Sequence, residues 1–206
     1  MKNLSDLTLA DLKAMKPRPE VLAFAKSCDG DIQKFWDMCP NGEWLLWLLN
    51  KTGTLPELSA RAIALAYARK VLPIYEKTIP VDDGPRRCLK AVEIFLKCPT
   101  VANQRSMINA ATEVRGVCTA YVAAVAAYHA AHDSHPMLAA YHAVSFAAVA
   151  ADFSTPEHSF NSAASFAARK RFEQWGANKV RSIIKLSDQK SKTSKTPCRR
   201  RIWKGL

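Results

Sequence analysis

The stretch Trp36-Asp37-Met38-Cys39-Pro40-Asn41-Gly42-Glu43-Trp44-Leu45-Leu46-Trp47-Leu48-Leu49 decides how this chain is read, and it holds three of the five tryptophans. Trp44 and Trp47 with Leu45, Leu46, Leu48 and Leu49 make a helix that is apolar around most of its circumference, so it belongs at the centre of a core. Trp36 falls on a shorter helix before it. Between the two stands Cys39-Pro40. Proline removes a backbone donor and stops the preceding helix, but near the start of a following helix its missing N–H costs little. The stretch therefore predicts two helices meeting at a Cys-Pro corner. A functional reading stands beside this one: a tryptophan left partly exposed would anchor a partner, because Trp is enriched among interface hot spots. Glu43 either caps the second helix or pairs with a buried arginine such as Arg61 or Arg86.

Working outward, Thr8 with Asp11 offers a capping arrangement before Leu9, Leu12 and Met15. Pro19 opens a second helix, and Asp29-Gly30-Asp31 starts a third that reaches about Met38. A fifth helix is predicted from about Pro56 to Lys77 on the rhythm Leu58, Ala62, Leu65, Ala66, Arg69, Leu72, Tyr75. Pro73 should bend it, or end it near Val71. The sixth starts at Gly84-Pro85, buries Cys88, Leu89, Val92, Phe95 and Leu96, and stops at Pro99. From Thr119 to Ala168, 18 of 50 residues are alanine, which lets helix backbones approach closely. His135-Pro136 and Ser154-Thr155-Pro156 divide this region into helices over 101–132, 136–151 and 155–186. Strand signals are nearly absent, since Asn41-Gly42 and Asp83-Gly84 both lie between helical patterns. The expectation is an all-α chain: one antiparallel array of about eight helices over residues 1–186, then a disordered basic tail at 187–206.

Charge is distributed unevenly. The net charge is +12, yet residues 1–168 hold 17 basic and 16 acidic side chains, whereas 169–206 hold 13 basic and 2 acidic ones. On the last predicted helix these are Arg169, Lys170, Arg171, Lys179, Arg181 and Lys185, with Phe172, Trp175, Val180, Ile183 and Ile184 on the apolar face. Arg199, Arg200, Arg201 and Lys204 stand on the tail. A solvated, solubilising terminus explains them; so does non-specific contact with nucleic-acid phosphates, or attraction to an acidic protein surface. No helix-turn-helix or zinc finger accompanies them to read bases.

Six cysteines without a C-x-x-C pair, and an N-terminus without an uninterrupted apolar run, imply a cytoplasmic chain with reduced thiols. The apolar run 119–131 is too short to span a bilayer, so no membrane partner is expected. His129, His132, His135 and His142 could place imidazoles on a common face for a metal, but they lack H-E-x-x-H spacing and also suit a helix C-terminus. No nucleophile elbow, phosphate-binding glycine loop or dinucleotide fingerprint occurs. The reading is that the chain is not an enzyme and needs no cofactor.

One further motif follows Leu72-Pro73-Ile74-Tyr75-Glu76: Pro80-Val81-Asp82-Asp83-Gly84-Pro85-Arg86-Arg87. Carboxylates just before a helix suit its dipole, so Asp82 or Asp83 would cap helix six while arginines tie the corner to helix five. With the Trp36–Leu49 stretch, in this order and spacing, these motifs resemble an all-helical family of immunity proteins from bacterial polymorphic toxin systems, also carried by phages. Asp83, Pro85 and Arg86 match the Asp, Pro and Arg that recur there, and the likeness covers about Asp31 to Lys185. The resemblance implies a non-catalytic protein that neutralises a toxin, effector or host defence factor by binding it. It would place partner contacts or structural roles on Trp36, Glu43, Trp44, Trp47, Asp82, Asp83, Arg86 and Arg87. The alternative is a nucleic-acid-associated accessory protein acting through the basic end.

Overall fold

Local chemistry sets most helix boundaries. The computed structural model describes residues 6–112 and 163–193. Among them are eight α-helices and no strand: α1 Leu9–Ala14, α2 Pro19–Ser27, α3 Ile32–Met38, α4 Gly42–Thr52, α5 Glu57–Thr78, α6 Gly84–Lys97, α7 Val101–Thr112 and α8 Ala163–Thr193. The chain is all-α, as expected. Thr8 and Asp11 close a reciprocal capping box, with Asp11 N–H donating to Thr8 Oγ1 at 3.2 Å and Thr8 N–H to Asp11 Oδ2 at 2.9 Å. Asp31 caps α3 by accepting from the N–H groups of Gln33 and Lys34. Gly53 ends α4 at φ 64, a left-handed conformation that glycine adopts without steric cost.

Pro73 does not end α5, which runs unbroken from Glu57 to Thr78. Val71 and Tyr75, on either side of it, are both buried, and packing across the proline outweighs the one hydrogen bond it removes. The inner face of α5 also differs from the expected stripe. Leu65 and Tyr75 of that stripe are buried, together with Ala60, Ile63, Ala64, Tyr67, Ala68 and Val71, while Leu58 and Arg69 are exposed. The helix packs against both α6 and α8, so small residues take the close approaches. In α6, Cys88, Leu89, Val92 and Phe95 are buried and Leu96 half-buried. Arg69 meets Glu93 at 2.8 Å and Arg86 meets Glu76 at 2.7 Å, a descending register that makes α5 and α6 an antiparallel pair. α7 packs on α6.

The long helix α8 returns to pack on α4 and α5. It is closest where Gly42 and Gly176 face the Tyr67 hydroxyl: a Cβ added at either would stand 2.1 or 2.0 Å from that oxygen. The Tyr67 ring meets Phe172 and Trp175 edge-on, with centroids 5.7 and 5.2 Å apart. Its hydroxyl is buried without a hydrogen-bond partner among the described residues, and burial raises its pKa above the ordinary tyrosine value. α8 continues to Thr193, seven residues past the predicted helix end at Leu186. Nothing between Leu186 and Thr193 is a Gly or Pro that would break it; the next breaker is Pro197. The helices expected across 113–162, and residues 194–206, lie outside the described residues.

Gly176→Ala is expected to cost about 2 kcal/mol in urea unfolding, because its Cβ overpacks a filled notch. Tyr67→Phe, which removes an unpartnered hydroxyl, is expected to stay within about 1 kcal/mol of the parent. A larger loss in Tyr67→Phe would show that the hydroxyl is bonded.

Candidate functional site

The Cys-Pro corner is held from far along the chain. Pro40 has no N–H, so the Trp36 carbonyl, which an ordinary helix would bond to residue 40, lacks its donor. Arg181 of α8 supplies one: its Nε donates to Trp36 O at 2.7 Å. Its Nη2 donates to Cys39 O, and Nη1 reaches Asn178 Oδ1 at 3.0 Å. Arg181 is only 9% exposed. It is not one of the solvated cations of the basic end, as its place in the sequence suggested, but a buried clamp. Its charge sits at the C-terminal end of α3, where the helix dipole favours a cation. The Cys39 thiol donates to Asn41 O at 3.3 Å, and burial pushes its pKa up to about 11. Burial likewise raises Cys88 to about 12. Both stay protonated at neutral pH and behave as small hydrophobes.

The tryptophans divide. Trp36 is buried; Trp44 and Trp47 are half-buried and pack against the core. With Arg18, Val21 and Glu43 they line a cleft of only about 40 Å³, too small for a side chain of a partner. Glu43 pairs with Arg18 at 3.3 Å. Asn41 is the cap, accepting from Glu43 N–H at 2.8 Å and Trp44 N–H at 3.4 Å. Arg61 is indeed buried, stacked over the Phe95 ring at 5.8 Å, a cation–π contact that eases its desolvation.

At the turn between α5 and α6 the two aspartates take different roles. Asp82 accepts from Gly84 N–H at 2.8 Å and from the Tyr75 hydroxyl, and these bonds, Tyr75 first, hold its pKa below the usual carboxylate value. Asp83, at the N-cap position, makes no capping bond and pairs with Arg87 at 2.9 Å. Arg86 bridges back to Glu76 on α5. The motif thus joins two helices, with its arginines exposed and Val81 at its tip 93% exposed. One turn further, Lys97 and Arg69, with Lys90, hold Glu93 down to about 2.

The concave surface that remains lies between α5 and α8. A groove of about 470 Å³ has an apolar lining of Ala62, Leu65, Ala66, Trp175 and Ile183, with Arg69, Lys70 and Lys179 completing it. A second, of about 380 Å³, continues past Trp175 along Val71, Ile74, Ala168 and Phe172, between Lys70 and Arg171. Lys70 lies over the Trp175 ring at 5.5 Å, on the ridge common to both. Low numbers on α5 face high numbers on α8, so the two helices run antiparallel. Ala62, Ala66 and Arg69 of the expected α5 stripe therefore line a groove rather than the core, whereas Leu65, at the groove floor, is only 7% exposed and belongs to the core. Of the other cations, Arg169 pairs with Glu173 at 3.1 Å and Lys170 lies 4.6 Å over exposed Phe166. Lys185 falls on α8; Arg199, Arg200, Arg201, Lys204 and the four histidines His129, His132, His135 and His142 lie outside the described residues. No group of three metal-ligating side chains occurs among the described residues, and no helix there is long and apolar enough to cross a membrane.

Arg181→Met is expected to lower unfolding free energy by about 3 kcal/mol, since it strips two buried carbonyls of a charged donor, while Arg171→Met at an exposed position should stay within about 0.5 kcal/mol. Arg181→Lys should not restore the loss, because an ammonium cannot reproduce the planar fork. Acid should act where α5 meets α6: folding favours the ionised forms of Glu93 and Asp82, so both lose their contribution as pH falls, and that of Glu93 is complete above about pH 4.5 and lost as pH falls toward 2. Melts from pH 7 to 2 should therefore show a smaller acid loss for Glu93→Gln than for the parent; equal losses would contradict this.

Compared with protein-family models, curated proteins and solved structures, the chain matches none.

Proposed function

We propose that this chain is a non-enzymatic, immunity-like protein that neutralises a toxin or effector by binding it directly. The observation that carries the reading is the α5–α8 surface. Its grooves combine an apolar lining with Arg69, Lys70, Arg171 and Lys179, and no carboxylate lines either one. Concave apolar surface with charge at its margin is what a protein interface uses. The likeness of Trp36–Leu49 and Pro80–Arg87 to immunity proteins supports the same reading. In this fold those motifs hold the corner at Cys39-Pro40 and the α5–α6 turn, so they act by placing α4, α5 and α8, with exposed Arg86 and Arg87 left as rim contacts. A basic binding surface suits an acidic partner, because complementary charge speeds association.

A second reading, contact with nucleic acid, draws on Trp175 flanked by Lys70, Arg171 and Lys179, since bases stack on aromatic rings between cations. The two separate experimentally. Co-expression with the proteins encoded on either side of its own gene should restore growth against one of them and yield a stable complex. Duplex and single-stranded oligonucleotides should not bind the full chain at about 0.15 M salt. Steeply salt-dependent binding with no growth rescue would put nucleic acid first.

A further inference from the structure

We infer that the α5–α8 groove receives one amphipathic helix carrying glutamates or aspartates on both sides of an apolar stripe. This rests on the reading that the chain works by binding a protein, and it names the element recognised. The groove runs from Ala62 beside Ile183 to Ile74 beside Ala168. At 1.5 Å per helical residue, the span from 62 to 74 is about 18 Å, or about three turns of a bound helix. Two antiparallel helices leave between their ridges a furrow that a third helix fills with side chains at i, i+3, i+4 and i+7.

The chemistry of the lining selects the charge. Ala62 and Ala66 are small and let a backbone approach, whereas half-buried Ile183 gives apolar contact area over a floor of buried Leu65. Trp175 divides the furrow, and its face is covered by Lys70, so a guest must carry small residues where it crosses that ridge. Arg69 is already matched by Glu93. Lys70, Arg171 and Lys179 make no ion pair among the described residues, which leaves three cations, on both helices, for acidic side chains of the guest. A basic guest would meet repulsion from each of them. A nucleic-acid strand would match the cations but leave Ala62, Ala66 and Ile183 uncovered.

The test uses the full chain and peptides of about 14 residues: one with leucines at i and i+7, alanines at i+3 and i+4 for the Trp175 ridge, and flanking glutamates, one with lysines in place of the glutamates, and a scramble of the first. By calorimetry, the acidic peptide should bind at least about tenfold tighter than the other two, and added salt should weaken it. Lys70→Glu combined with Lys179→Glu, both at solvent-accessible positions, should leave the circular dichroism unchanged, weaken the acidic peptide at least about tenfold and strengthen the basic one. A photo-crosslinking residue at position 66 should link to the acidic peptide.

Equal binding of acidic and basic peptides, no effect of the charge reversals, or crosslinking only within the chain or to a second copy would overturn the assignment. So would an oligonucleotide that displaces the peptide at physiological salt and binds more tightly. The outcomes also separate this inference from the reading beneath it. Peptide binding without toxin rescue removes the immunity role and keeps the groove. Rescue unaffected by the charge reversals keeps the role and removes the groove.

Discussion

Two carbonyl oxygens at the end of α3, those of Trp36 and Cys39, both receive the guanidinium of Arg181. Pro40 creates the need: it turns the chain sharply enough to start α4 two residues later, and in doing so denies the Trp36 carbonyl its helical donor. Water cannot replace it, because both Trp36 and Cys39 are buried. A buried polar group without a partner costs more than a typical hydrogen bond returns, so the donor's absence would be felt by the whole corner. Arginine suits the position because its rigid fork reaches two acceptors at once and its charge lies on the negative end of α3.

The position of α8 follows from this clamp. One turn before Arg181, Ala177 is buried, and Gly176 abuts the Tyr67 hydroxyl so closely that no side chain fits. Clamp and notch together fix the height and rotation of α8 on α4 and α5. With those set, Trp175, Lys179 and Ile183 must face the outer side of α5, where they make the groove. The surface proposed to bind a partner is thus built on rigid helices, and its geometry depends on residues that never touch the partner. The α5–α6 turn contributes in the same way: Asp82 and the pairs Arg86–Glu76 and Arg69–Glu93 tie α5 to α6.

How much of this could be read from the chain follows from the range of each interaction. Capping at Thr8, Pro19 at the head of α2, the break at Cys39-Pro40 and the buried stripe of α6 are local, and local pattern predicts them. The inner face of α5 was not legible. It holds as many alanines as large aliphatics, and which side is inner depends on two neighbours at once. Pro73 misled for a related reason, since burial on both sides of it overrides its propensity. Glu43 looked like a candidate cap, whereas the Asn41 side chain receives the first N–H groups of α4. Arg181 was the largest surprise. It sits among basic residues 145 positions from the carbonyl it bonds, and no periodicity links the two. A hint existed: Arg181 lies beside Val180 and one turn after Ala177, on the same apolar side as Ile184.

Hydrogen–deuterium exchange of the full chain tests the central claim directly. If Arg181 ties α8 to the α3–α4 corner, amides of α4 from Leu46 to Thr52 and of α8 from Gly176 to Ile184 open as one cooperative unit, with the same opening free energy and the same response to denaturant. Exchange of the α8 amides at distinctly lower free energy than those of α4 would contradict the account, and α8 would then be an independent arm laid on a corner that holds itself.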